Sequence, residues 1–158
     1  MNDAKKTDHA GVHFLPPLAY CIALVGAVVL QLIIPLPLLS GDVTATIAGM
    51  VMAVFGGWIM ASCAGLLSRS GTNIPPNKPT NVIVKTGFYA ISRNPIYVAF
   101  MLIYLGVALV MENGWMLLTW LPVLWYIRYH VIAREEAYLS AKFGQDYLDY
   151  MARVRRFI

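Results

Sequence analysis

The stretch from Val43 to Leu67 reads VTATIAGMVMAVFGGWIMASCAGLL and holds no charged side chain. A helix needs ~20 consecutive apolar residues to cross a hydrocarbon core, and this stretch exceeds that length. Its small residues are patterned as well. Gly49, Ala53 and Gly57 recur at every fourth position, a spacing that lets two helix backbones approach closely in lipid. The segment predicts a membrane-spanning helix packed through that face on another span.

Reading outward extends the pattern. On the N-terminal side, Ser40, Gly41 and Asp42 form a turn, and Leu18 to Ile34 is again uncharged, bracketed by Pro16, Pro17, Pro35 and Pro37, where a helix can begin and must end. This is a first span over approximately 15–39. A polar tail with Asp3, Lys5, Lys6 and Asp8 precedes it, and because a second span follows almost at once it reads as a retained helix rather than a cleaved leader. On the C-terminal side Arg69 opens a polar loop in which Gly71, Pro75, Pro76 and Pro79 forbid a regular helix. Asn94 and Pro95 then suit a cap and a first helical turn, Glu112, Asn113 and Gly114 make a turn, and Pro122 is expected to kink the last span. Spans over 43–67, 95–111 and 114–130 follow, the last two a short hairpin that needs tilt and polar ends to cross.

Composition agrees. Of 158 residues, 59% are apolar and only 13% charged, with a mean hydropathy of +0.64, where a water-soluble domain carries roughly a quarter charged residues. The fold class expected is all-α: a polytopic integral membrane protein of about four transmembrane helices with a cytoplasmic C-terminal helical segment, 1–158 forming a single membrane-embedded domain. Basic residues orient it. All 12 lie in the N-terminal tail, in the central loop (Arg69, Lys78, Lys85, Arg93) or after the last uncharged stretch (Arg128, Arg134, Lys142, Arg153, Arg155, Arg156). Both termini and segments 68–94 and 131–158 are therefore expected on the cytoplasmic face, with only Asp42 and Glu112 in the opposite turns. The net charge of +4 suits anionic headgroups, and no nucleic-acid partner is implied.

The uncharged cores of the spans hold no Asp, Glu, Lys, Arg or His, which disfavours an ion-coupled transporter or proton relay. Cys21 and Cys63 show neither a CxxC nor a nearby His at ligand spacing, so neither a disulfide framework nor a metal site is expected. Polar chemistry gathers in the central loop and the tail. If 132–143 is one helix, Ile132, Leu139 and Phe143 share a buried direction, with Glu136 ~40° to one side and Glu135 ~60° to the other. The two carboxylates either border a ligand or form a solvated patch with Arg134 and Lys142. Arg93 and Asn94 stand at a helix N-terminus, where free N–H groups and the partial positive charge suit a ligand carboxylate; a snorkelling arginine and a helix cap are the alternative.

Gly87-x-Tyr89, Arg93-Asn94-Pro95-x-Tyr97, Gly106, Arg134-Glu135-Glu136-x-x-Leu139-x-x-x-Phe143-Gly144-x-x-Tyr147-x-x-Tyr150 and Arg153-Val154 together resemble the isoprenylcysteine carboxyl methyltransferase family in its short bacterial branch, and more loosely the phospholipid N-methyltransferases. The resemblance covers roughly Gly71 onward. It implies a membrane enzyme of the bacterial inner membrane that uses S-adenosylmethionine, binds it from the cytoplasm beneath the C-terminal segment, and takes a lipophilic acceptor from the bilayer. Carried over by position, Gly87, Tyr89, Arg93, Asn94, Tyr97, Glu135 and Glu136 would bind the cofactor. Phe88 stands where the family has proline, Asn94 replaces a histidine, and Tyr129 and Val131 lie where eukaryotic members have arginines near the acceptor, which leaves the acceptor open.

In a direct methyl transfer the cofactor brings the reactive carbon, so the protein needs to align donor and acceptor and exclude water. An amine or thiol acceptor would also need a proton acceptor, for which Glu136 is the candidate catalytic residue. Gly106 is expected on the lipid-accessible side of the hairpin, beside the acceptor route. Two other classes stay open: an NADPH-dependent membrane reductase of the sterol-reductase type, which would need further basic residues for the extra phosphates, and a non-catalytic membrane interaction protein using the small-residue face of the second span.

Overall fold

The computed structural model describes residues 8–12, 14–39 and 41–158; Asp3, Lys5 and Lys6 of the tail and Ser40 of the first turn lie outside them. Six α-helices follow one another: α1 (Pro16–Ile33), α2 (Val43–Arg69), α3 (Pro95–Val110), α4 (Gly114–Tyr126), α5 (Ala133–Phe143) and α6 (Gln145–Arg153). A 3-10 turn occupies Gly87–Ala90 and a π-helical segment Ile127–Ile132. Among the described residues there are two isolated bridges, Pro37 with Asn113 and Ser92 with Arg155, and otherwise no strand pairing.

Helix boundaries follow local chemistry. Pro16 and Pro95 open α1 and α3, where a missing N–H costs nothing. Asp42 caps α2 by accepting from the Thr44 and Ala45 amides at 2.8 and 3.4 Å, and Asn113 caps α4 through the Trp115 amide at 3.0 Å. Asn94 occupies the cap position of α3, but its side chain makes no capping bond. Three helices are long and apolar enough to cross a membrane: α1, α2 and the continuous rod Gly114–Phe143. At 16 residues α3 is shorter. The protein is an all-α polytopic membrane protein. The winding of the last rod stays α-helical through Pro122 and changes further on, over Ile127–Ile132. Beyond that segment the rod turns polar with Arg134, Glu135 and Glu136.

Helix α2 packs on α3 and α1 on α4. A Cβ added at Gly49 would stand 2.6 Å from the Gly106 carbonyl oxygen, one at Gly106 would stand 2.5 Å from that of Gly49, and one at Gly56 would stand 2.9 Å from that of Ala99. The contact therefore runs through Gly49, Ala53 and Gly56. Gly57, expected in this face, opens onto empty space. Stepping by four and then three keeps the contact on one side of a helix with 3.6 residues per turn, whereas two steps of four drift away from it. Gly106 is likewise in the packed interface and not on a lipid-accessible side, so Gly106→Leu is a packing lesion rather than a probe of an acceptor route. Cys63 is buried between α2 and α3, and Cys21 lies on the outer face of α1.

The two ends of the bundle are built differently. At one end the turns are sewn together by backbone: the Leu38 amide donates to the Glu112 carbonyl at 2.9 Å and the Gly114 amide to that of Leu36 at 2.8 Å. At the other end, side chains from the N-terminal segment, the 70–94 loop, α5, α6 and the residues after it form a polar network around a cavity.

Candidate functional site

The cavity has a volume of about 430 Å3 and is walled by α1, α2, α3, α5, α6 and the central loop. Its apolar side is made by residues such as Leu15, Met60, Phe100, Ile74 and Val84, and its polar side by Tyr89, Arg93, Asn94, Tyr97, Glu135, Tyr147 and Tyr150. Of the residues singled out from sequence, five are thus brought to one space. Gly87 and Glu136 are not among its lining. Gly87 takes φ +60°, which opens the 3-10 turn carrying Tyr89, and a side chain there would be strained.

The adjacent carboxylates face different partners. Glu135 Oε2 accepts from the Tyr97 hydroxyl at 2.9 Å. Desolvation pushes the Glu135 carboxyl up to about 7; the Tyr97 bond opposes this, and the Glu136 charge adds to it. Glu136 is buried, and its Oε1 accepts from Arg93 Nη2 at 2.7 Å and from Arg156 Nε at 3.1 Å, while Oε2 accepts from Arg156 Nη2. Arg134 and Lys142, the partners expected for a solvated patch, are engaged elsewhere. Arg134 donates to the Gly11 carbonyl at 3.0 Å, and Lys142 pairs with Asp8 at 2.7 Å.

Arg93 is held from three sides. Besides Glu136, its Nη1 donates to the carbonyls of Met151 at 2.9 Å and Val154 at 3.0 Å, and its own amide donates to the Arg155 carbonyl at 2.9 Å. Its Nε is buried without a partner. Instead of capping α3, Asn94 donates through Nδ2 to the Arg156 carbonyl at 2.9 Å. The Tyr150 hydroxyl donates to the Tyr89 carbonyl at 2.6 Å, tying α6 to the 3-10 turn. Burial pushes the Tyr89 and Tyr147 hydroxyls well up and that of Tyr150 to about 12, so all three stay protonated donors at neutral pH.

Sequence reasoning missed Arg156, which looks like one more basic residue in a run that topology alone explains. It gave Tyr147 and Tyr150 no role, although their spacing puts both on one face of α6. The central loop, expected within the cofactor-binding segment 68–94 but with no site residue named before Gly87, supplies much of the cavity wall through Asn73 to Val84. That loop is pinned to the rest by the Thr80 amide donating to the Tyr138 hydroxyl at 3.2 Å and by an ion pair between Lys85 and Asp146.

The arrangement fits a ligand with a cationic and an anionic end and an apolar neighbour. A carboxylate and a guanidinium side chain line the same space, and Arg93 is the one Lys or Arg among the residues lining it. A ligand with several phosphates would call for more cations.

Known proteins match much of this chain. The profile of the phospholipid methyltransferase family matches residues 44–146. Protein-S-isoprenylcysteine O-methyltransferases of Saccharomyces cerevisiae and Schizosaccharomyces pombe are each 36% identical over 74 residues, which is 47% of this chain and 31% of each relative. The chain thus spans about a third of the length of those two proteins. An uncharacterized protein of Haemophilus influenzae is 39% identical over 66 residues, 40% of this chain and 100% of that protein. No solved structure matches.

Proposed function

This chain belongs to the phospholipid methyltransferase family, and from that premise we propose that it transfers a methyl group from S-adenosylmethionine to a lipophilic acceptor at the membrane. The observation that carries the reading is the cavity in which Glu135, held by Tyr97, and Arg93 line a polar side opposite an apolar wall. Glu135 would hold the cationic amino end of the cofactor and Arg93 would supply the positive charge toward its carboxylate, with Tyr89, Asn94, Tyr97 and the Gly87 turn shaping the pocket. When bound, the cofactor supplies an electrophilic methyl carbon; the acceptor's bond to that carbon forms as the carbon–sulfur bond breaks.

The chain's own part is alignment and exclusion of water. Ile74, Met60 and Phe100 present an apolar surface to the acceptor's hydrocarbon. Glu136 has both oxygens bonded to arginines, so an amine or thiol acceptor would give its leaving proton to another base. Residues 1–158 act as one membrane-embedded unit in which segments 68–94 and 131–158 hold the cofactor on the cytoplasmic face of a bacterial inner membrane.

Calorimetry of the detergent-purified chain tests this: S-adenosylhomocysteine should bind and NADPH should not. The reverse would assign the cavity to a reductase, and binding of neither would leave a non-catalytic protein. For orientation, cysteines placed at Asp42 and Glu112 should react with impermeant thiol reagents on intact cells, and those at Lys78 and Lys142 should not.

A further inference from the structure

The central loop is braced from within. Asn81 donates through its amide to Thr72 Oγ1 at 2.9 Å and through Nδ2 to the Gly71 carbonyl at 2.8 Å, and Asn73 Nδ2 donates to the Pro79 carbonyl at 2.8 Å. A compact surface loop whose ends are tied in this way keeps its shape by its own bonds. Pro75, Pro76 and Pro79 stiffen it further by fixing φ. Residues 71–81 are therefore one braced piece, and where that piece sits is decided by what holds it from outside.

Its position matters, because Ile74, Pro76, Thr80, Val82 and Val84 are one wall of the cavity. The wall joins α2 at one end, where the Thr72 amide donates to the Leu67 carbonyl at 3.2 Å, and is anchored beyond its other end by the ion pair of Lys85 with Asp146 of α6. Between these anchors, among the described residues, one hydrogen bond joins 73–84 to another element: the Thr80 amide donates to the Tyr138 hydroxyl at 3.2 Å. Burial adds little to it, since Ile74 and Val82 remain 46% and 47% exposed. A segment with few buried apolar contacts lies at the low-stability end of a fold. Tyr138 is not among the residues lining the cavity. Its hydroxyl donates to Asp8 Oδ1 at 2.8 Å and accepts from Lys142 Nζ at 3.0 Å, so its proton points at the carboxylate and its oxygen is left to accept from the Thr80 amide. The Lys142 ammonium and then the Tyr138 hydroxyl hold the Asp8 carboxyl below its ordinary value, which keeps it an acceptor at neutral pH.

We propose that Tyr138 is a positioning residue for ligand binding: its hydroxyl latches the braced loop over the cavity, and the ligand enters and leaves by release of that wall. The inference rests on the reading of the cavity as a cofactor site and goes beyond it by naming the wall that moves and a residue outside the cavity that holds it. A ligand bound against the loop adds its contacts to the latch, so the loop closes more firmly on the occupied cavity than on the empty one. Without the hydroxyl the open form gains population, and the apparent affinity falls with the share of closed loop that is lost.

The test is S-adenosylhomocysteine binding to the full chain in detergent. Tyr138→Phe keeps the ring and removes the latch, and should weaken binding about threefold to tenfold, the loss of one hydrogen bond. In rapid-mixing measurements the loss should lie in faster dissociation, with association unchanged or faster, whereas a merely distorted pocket would slow association. Hydrogen exchange at the Thr80 amide should be slowed by S-adenosylhomocysteine in the native chain and should be faster in Tyr138→Phe. Thr80→Pro deletes the donor itself, and the double variant Thr80→Pro, Tyr138→Phe should bind no worse than Thr80→Pro alone; independent roles would make the two losses add. If Thr80→Pro does not fold, the rates and the amide exchange of Tyr138→Phe decide. The proposal is overturned if Tyr138→Phe releases the ligand at the native rate, if its loss lies in association, or if the losses add. Failure of the native chain to bind S-adenosylhomocysteine overturns the cofactor reading and this inference with it, a result distinct from native binding that Tyr138→Phe leaves unchanged.

Discussion

Two neighbouring carboxylates divide the polar end of the molecule into two regions. Around Glu136 lies a closed charge cluster with Arg93 and Arg156, its side chains 8%, 9% and 33% exposed, respectively. Around Glu135 lies an open cavity where one tyrosine hydroxyl is the partner. The first region has its hydrogen bonds made apart from the Arg93 Nε–H and ties Arg93 and Glu136 to the end of α6 and the residues after it. The second keeps bonding capacity unused. Adjacency on one helix therefore carries no common partner set: the former is closed on itself and the latter keeps room for a ligand, a difference that stability and binding measurements can separate.

The largest effect should come from breaking the closed cluster. Glu136→Gln leaves Arg93 buried without its counter-charge, and loss of one partner from a buried ion pair costs about 3–5 kcal/mol. Thermal denaturation in detergent should show a clear fall without any ligand present. An unchanged melting temperature would show that the cluster contributes nothing to the fold.

Glu135→Gln should do the opposite. Stability without ligand should not fall, and above pH 7 should rise because the charged form that burial disfavours is gone, while affinity for S-adenosylhomocysteine drops by about 1–3 kcal/mol as the charge-assisted bond to the amino end is lost. If both variants lost stability alike, the two regions would be one.

Acidity sharpens the contrast further. Because the Glu135 carboxyl titrates near 7 in the fold against 4.5 in the open chain, the native state holds its proton more firmly. Its contribution to stability is fully present below pH 4.5 and is lost as pH rises through about 7. Ligand binding should run the other way, strengthening as pH rises through about 7 because a cationic amine needs the ionised form. Tyr89 and Tyr147 stay protonated across this range and Glu136 adds a like charge, so calorimetry from pH 6 to 8 reads Glu135. Glu135→Gln should flatten the profile, and a profile unaltered by that change would assign the titration elsewhere.

The smallest effect is expected from Tyr97→Phe, which removes the hydroxyl donated to Glu135. Affinity should fall by about 0.5–1.5 kcal/mol, with the midpoint of the pH profile moving upward because a bond that favoured the ionised carboxylate has gone. A downward shift would contradict the assigned direction of that bond.

The membrane helices were legible because hydropathy and prolines act locally: Pro16, Asp42 and Pro95 mark helix starts that need no tertiary knowledge. The wheel for 132–143 put the two glutamates on opposite borders of one buried face, and the structure gives them separate partners. It could not show that Ile132 ends a π-helical segment, since that winding reflects packing of Ile127, Val131 and Ile132, all fully buried. Gly57 was chosen over Gly56 because regular spacing ignores the fractional helical turn. Arg156 was hidden for a different reason. Its role depends on a contact across 20 residues with Glu136, and an arginine among arginines gives no local sign of that.

The anchoring of Arg93 and Asn94 by carbonyls 58 to 62 positions later has a consequence in time. At a synthesis rate of 5–20 residues per second, those partners emerge roughly 3 to 12 seconds after the residues they hold. Over that interval α2 and α3 can already zip together through Gly49, Gly56 and Gly106, while the start of α3 waits without the carbonyls that will hold Arg93 and Asn94. Insertion of the helices is thereby separated from completion of the site. A ligand that needs Arg93 in its final place cannot assist the earlier step, and a nascent chain released before residue 151 would be membrane-integrated yet unable to bind it.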